Sequence, residues 1–121
     1  MPVSSWAAKT KGGDPGYAGR VMVAQDLSAV TGACHMMRRE TFQRLGGLDE
    51  AHLAVAYNDI DFCLRVREAG LRVIYTPFAP LLHMHSASRG SDLRIERLAS
   101  FAWERDYMRT RWAARLLDDP W

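Results

Sequence analysis

The sequence predicts an α/β protein whose strands are too few for a complete doubly wound sheet. Three observations carry that reading. Residues 58–69 (NDIDFCLRVREA) have the look of a helix, opened by Asn58 and Asp59 and stopped by Gly70. LRVIYTP follows as a strand closed by Pro77, and PLLHMHS as a second extended run. Over residues 92–117, Leu93, Leu98, Phe101, Met108, Trp112 and Leu116 recur at roughly helical spacing, which predicts a long amphipathic C-terminal helix.

The earlier elements are smaller. Residues 1–20 (with KTKGGDPGYAGR) are rich in Gly, Pro, Ser and Lys and show no apolar period, so they read as a flexible arm ahead of a single unit spanning 21–121. LSAVTGACHMMRR mixes β-formers with small residues and reads as a strand. Gly32 in its interior marks a place where something must come close to the backbone. Residues 40–45 suggest a short helix ended by Gly46 and Gly47, and LDEAHLAVAY a loop.

Bulk properties narrow the function classes. The 121 residues leave room for one domain, and at 48% hydrophobic they can build a core. Sixteen basic against fourteen acidic residues give a net charge of +2, which offers no reason to propose nucleic acid as a partner. Cys34 and Cys63 lack the number and spacing of a disulfide framework or zinc site, and suit reduced residues of a cytoplasmic protein. No apolar run approaches transmembrane length, so membrane contact is expected to be peripheral, at the inner face.

Three groups of residues carry the chemistry. Asp59 and Asp61 open a helix, where unpaired N–H groups and the dipole favour carboxylates. Two residues apart, they point about 200° away from each other. Asp61 precedes Arg65 by four residues, the favourable order for an ion pair, whereas Asp59 has only Cys63 at that spacing. One acid is thus tied down and the other available as a base, although by spacing alone the commoner reading is a pair of first-turn caps. His83 and His85 alternate as on one strand face, beside Ser86, Ser88 and Arg89. They suit a metal and phosphate site, or equally one core and one exposed histidine. Thr31, Gly32, Ala33 and Cys34 are either a small-residue floor beneath a sugar or a tight packing contact.

Taken together, AVTGACHMMRRETFQRLGGLDE, VAYNDIDFCLRVREAG and VIYTPFAPLLHMHSASRG resemble the second half of a bacterial family 2 glycosyltransferase, closest to the rhamnosyltransferase-like members. The resemblance runs over about residues 15 to 115. It implies the C-terminal, acceptor-side half of a GT-A (Rossmann-like) domain. On that reading Asp59 is the catalytic base of an inverting transfer, with Asn58 where many relatives carry Glu. Thr31, Gly32 and Ala33 line the donor-sugar pocket, Asp61 is counted with the substrate-binding residues, and Arg89 belongs to a loop closing over the diphosphate. His83, with His85 as the alternative, completes the shell of a divalent metal, Mn or Mg. The partners implied for the full-length enzyme are a nucleotide sugar and a glycan or lipid-linked acceptor.

The sequence also departs from the family. Asp59-Ile60-Asp61 spells DXD but opens a helix and follows TGAC, so it does not serve as the nucleotide motif, and no βαβ unit with a phosphate-binding turn precedes it. Met108 stands where the Gln-x-x-Arg-Trp of processive synthases needs Gln. The expectation is therefore a fragment inactive alone and binding metal only weakly. A bare strand edge further predicts self-association into a homo-oligomer. The alternative reading is a non-catalytic binding or assembly module derived from such an enzyme.

Overall fold

A computed structural model describes residues 16–81 and 95–117. Two strands and three α-helices follow in the order β1 (Gln25–Asp26), α1 (Arg39–Arg44), α2 (Asn58–Glu68), β2 (Ile74–Tyr75) and α3 (Ile95–Leu117). Single 3-10 segments occupy Tyr17–Met22 and Gly32–Cys34. The architecture is mixed, with helices around a small sheet in which β1 pairs antiparallel with β2, Gln25 opposite Tyr75 and Asp26 opposite Ile74.

The strand expected around Gly32 is instead a 3-10 turn. Its backbone donors go sideways rather than into a ladder: Thr31 Oγ1 accepts the Ala33 N–H, and the Gly32 N–H is taken by a side chain of α2. The strand expected over LRVIYTP contracts to two residues, with one further backbone bond from the Leu27 N–H to the Val73 carbonyl. The extended run through His83 lies outside the described residues.

The helices follow their sequence signals more closely. α1 ends where Gly46 and Gly47 adopt φ of 81° and 68°, which lets the Gly46 and Gly47 N–H groups bond the Gln43 and Phe42 carbonyls. α2 stops at Gly70, φ 75°. Its start differs from expectation: Tyr57 is the N-cap, in the left-handed region at φ 61°, with no side-chain cap bond. Neither Asn58 nor Asp59 caps, because both already belong to the helix.

α2 is the centre of the molecule. One face packs Cys63 with Ala29 and Val73, joined by Val30 and Val66. A neighbouring face meets Leu53, Met108 and Trp112, joined by Tyr57, Leu64 and Tyr107, and Ile60 touches both groups. Phe62 stacks obliquely on Phe42 of α1, with ring centroids 5.4 Å apart. On α3 the buried face consists of Glu104, Met108 and Trp112 at four-residue spacing. Leu116 continues that spacing but is half exposed, so the apolar stripe read from the sequence ends one turn early.

Candidate functional site

The first turn of α2 and the Gly32–Cys34 turn meet through one short contact. The Asp59 Oδ2 atom accepts the Gly32 N–H at 2.7 Å, while Oδ1 accepts the N–H of its own neighbour Ile60 at 2.8 Å. Gly32 gives the Asp59 side chain room for that approach. A Cβ at that position would lie 3.1 Å from the Asp59 Cβ and 3.4 Å from Oδ2. The close approach expected from the glycine is thus made by the aspartate itself. Helix spacing offers Asp59 only Cys63, and the partner it takes is a backbone N–H from a distant segment, which helix spacing does not reveal.

Asp59 is half-buried, and Thr31, Gly32 and Ala33 are exposed beside it, with Asn58 next to it in the chain. Each carboxylate oxygen can accept two hydrogen bonds. The two backbone donors therefore fix the carboxylate's orientation and leave acceptor capacity for a hydroxyl arriving from solvent. Beneath it, one helical turn on, burial pushes the Cys63 thiol above its ordinary value, and the Asp59 charge adds to the effect. Cys63 is buried and Cys34 exposed, both free thiols.

Asp61 is placed quite differently. It has no exposed surface. Oδ2 accepts Arg65 Nε at 2.8 Å, and Oδ1 accepts Trp112 Nε1 at 2.9 Å with Arg111 Nε 3.4 Å away. The Arg65 pair matches the sequence expectation; Trp112 and Arg111, about fifty residues away, do not follow from it. Arg65 also donates to the Leu45 carbonyl at 2.5 Å and the Gly47 carbonyl at 2.7 Å, closing the end of α1. With both oxygens engaged and no route to solvent, Asp61 joins α1, α2 and α3, a position that does not suit the substrate contact expected of it.

Two further polar groups went unnoticed in the sequence. Glu104, buried on α3, accepts the Val55 N–H at 3.0 Å and the Ala56 N–H at 2.6 Å. A carboxylate standing in line with Met108 and Trp112 was the available signal. Asp49 gathers His52 Nδ1 at 2.9 Å, the Tyr107 hydroxyl at 2.9 Å and Arg111 at 3.0 Å. Burial raises the Asp49 carboxyl, but the hydrogen bonds from His52 and Tyr107 outweigh it, and the net shift is downward. The Tyr107 hydroxyl is held above its ordinary value by burial and by its bond to Asp49.

His83, His85 and Arg89 lie outside the described residues. Among the described residues no cluster of three or more His, Cys, Asp or Glu could hold a metal ion. Nor is any described helix long and apolar enough to cross a membrane.

No family model matches the chain, and no solved structure does. An uncharacterised protein of Sinorhizobium fredii is 48% identical over 105 residues, 87% of this chain and 12% of that protein. The O-antigen biosynthesis protein RfbC of Myxococcus xanthus is 45% identical over 64 residues, 53% of this chain and 5% of its own length. The N-acetylglucosaminyl-diphospho-decaprenol L-rhamnosyltransferase of Mycobacterium tuberculosis is 35% identical over 63 residues, 52% of this chain and 20% of that enzyme. The chain thus spans a fifth or less of the length of these curated relatives, and about half of it is a glycosyltransferase-like region.

Proposed function

We propose that this chain is the acceptor-side part of an inverting family 2 glycosyltransferase of GT-A type, with Asp59 as the base. The observation that carries the reading is the pair of neighbouring aspartates. Asp61 is consumed by the fold, while Asp59 is held by Gly32 at the surface with acceptor capacity to spare. In the proposed step the Asp59 carboxylate takes the proton of an acceptor hydroxyl as that oxygen attacks the anomeric carbon. The bond from that carbon to the nucleotide diphosphate breaks with its electron pair leaving on the diphosphate, and configuration inverts. The exposed residues Thr31, Gly32 and Ala33 would floor the donor sugar, Asn58 would contact substrate, and Arg89 would close over the diphosphate.

The partners proposed for the longer protein are a nucleotide sugar and a glycan acceptor, in keeping with the names of the relatives. His83 and His85 are the residues proposed for a divalent cation, Mn or Mg, whose chemistry is to neutralise the diphosphate as it leaves. The 121-residue sequence has no DXD ahead of TGAC and no nucleotide-binding βαβ unit, so the isolated chain is proposed to transfer no sugar.

The test joins this chain to a nucleotide-sugar-binding half. Asp59→Asn should then slow transfer by about a hundredfold, the scale for loss of a positioned general base, with donor affinity retained. Near-normal turnover would reassign Asp59 to holding the Gly32 turn.

A further inference from the structure

The helix that carries Asp59 starts without a side-chain cap. Its N-cap, Tyr57, lies in the left-handed region at φ 61° and ψ −1°, a conformation that costs free energy for a residue with a Cβ. The entry into α2 is reached instead by Glu104 on α3, from 48 and 49 positions further along the chain. Oε1 accepts the Val55 N–H at 3.0 Å and Oε2 the Ala56 N–H at 2.6 Å. One side chain, only 3% exposed, thus clamps two successive amides immediately ahead of Tyr57. A buried carboxylate is costly unless its oxygens are engaged. Here both are engaged by the segment that leads into the first turn of α2.

We propose that Glu104 is a positioning residue for the Asp59 carboxylate. The catalytic meaning of that role rests on the reading of Asp59 as the base; the geometric role does not. Asp59 follows Ala56 by three residues, and its carboxylate is tied at the other end to the Gly32 N–H at 2.7 Å. The Asp61 N–H bonds the Tyr57 carbonyl at 2.9 Å, so a peptide rotation at Tyr57 would carry Asn58 and Asp59 with it. The Tyr57 side chain is packed against Leu53, Met108 and Trp112, and Glu104 continues the Met108–Trp112 row one turn earlier on α3. Asp61 ties the body of α2 to α1 and α3 through its side chain, downstream of the entry. Glu104 supplies what Asp61 does not, the place from which the first turn starts. Tied only to Gly32, the base could drift with an exposed turn. Held from both sides it keeps one place, as a general base must to meet an acceptor hydroxyl within hydrogen-bond reach. Glu104 is buried and acts only through residues 55–59.

The experiment uses the 121-residue chain, read by backbone amide NMR and amide hydrogen exchange. Glu104→Met keeps the volume and removes both acceptors. Glu104→Gln keeps the shape and one acceptor oxygen, but turns a donor toward one of the two amides. The Ala56 amide should exchange about tenfold faster or more in Glu104→Met, the scale of a lost hydrogen bond to a charged group, and less so in Glu104→Gln. The Gly32 amide, whose bond is to Asp59, should shift in the direction that Asp59→Asn moves it and should also exchange faster. Phe42→Leu, which loosens the contact with Phe62 outside residues 55–59, is the stability control and should not single out these two amides. Should Glu104→Met not give a native circular dichroism spectrum, Glu104→Gln carries the test. In the chain joined to a nucleotide-sugar-binding half, both variants should lower turnover at saturating donor by about tenfold or more, the scale of a misplaced catalytic group, and leave the donor KM in place. The proposal is overturned if the Gly32 amide stays put in a folded Glu104 variant whose Ala56 amide has lost protection. It is equally overturned if Phe42→Leu gives the same pattern, or if turnover is unchanged in the Glu104 variants where Asp59→Asn slows it. Near-normal turnover in Asp59→Asn would reject the base reading alone, and the Gly32 response would then decide whether Glu104 sets the place of Asp59.

Discussion

Asp59 and Asp61 are the same residue type in the same helical turn, yet they meet opposite surroundings. Asp59 looks toward the Gly32–Cys34 turn and is half exposed, held by backbone donors. Asp61 looks toward α3 and has no exposed surface, held by an indole and two guanidinium groups. The rotation of about 200° between positions two apart assigns them to different partners. What differs is the company on each face of α2: exposed small residues on one, a packed helix on the other. A carboxylate that the fold has already saturated can serve stability, and one with spare acceptor capacity beside solvent can serve chemistry.

The largest effect that would break this contrast is on stability. Asp61→Ala leaves Arg65 beside a buried hole and takes the partner from the Trp112 indole. Breaking such a buried pair costs about 3–5 kcal/mol, comparable with the whole stability of a small domain. Urea unfolding followed by circular dichroism should show the native transition largely lost. An unchanged midpoint would mean that Asp61 is dispensable to the fold.

A smaller effect is expected at Gly32. In Gly32→Ala the new methyl would press on the Asp59 Cβ at 3.1 Å, so the turn or the first turn of α2 must shift. At an exposed turn the cost falls at or below the low end of core overpacking, about 1 kcal/mol. The backbone amide signal of Gly32, shifted by its carboxylate partner, should move in Asp59→Asn and should stay put in Asp61→Asn under conditions where that variant is folded. Movement in neither variant would dissolve the Asp59 contact.

Asp49 sharpens the comparison from between the two extremes. Its pKa is depressed in the folded chain, so its ionised form is favoured there. The stability it contributes is fully present above the ordinary carboxylate range near about pH 4, and is lost as pH falls through the lower folded value. Asp49→Asn should lower stability at neutral pH, where the contribution is fully present, and flatten the dependence of stability on pH below about pH 4. An unaltered acid slope in equilibrium unfolding would show that His52, Tyr107 and Arg111 do not hold the ionised form.

Local signals in the sequence reached only as far as local physics decides. The glycines at 46, 47 and 70 forecast the ends of α1 and α2, because positive φ is cheap at glycine. The Asp61–Arg65 pair was legible because helix geometry alone places it. The turn at TGAC was misread as strand, since β-forming neighbours say nothing about where the Gly32 N–H will go. Trp112 reaches Asp61, Glu104 reaches Val55, and Gly32 reaches Asp59 across 51, 49 and 27 positions. No local rule encodes such partners. Glu104, a polar residue in line with Met108 and Trp112 on α3, was a long-range hint in the sequence.

Those long separations have a consequence for the order of events during synthesis. The bonds from α3 to Asp49, Val55, Ala56 and Asp61 each close a loop of about half the chain, and a contact so distant forms only after the intervening segment has been ordered or crossed. A nascent chain ending near residue 100 would carry Asp61 and Arg65 but not Trp112, and the Val55 and Ala56 amides but not Glu104. The middle of this chain must therefore wait for α3. Pauses or truncations before residue 112 would release a chain whose central helix has an acid without its cover, a natural substrate for chaperones and proteases.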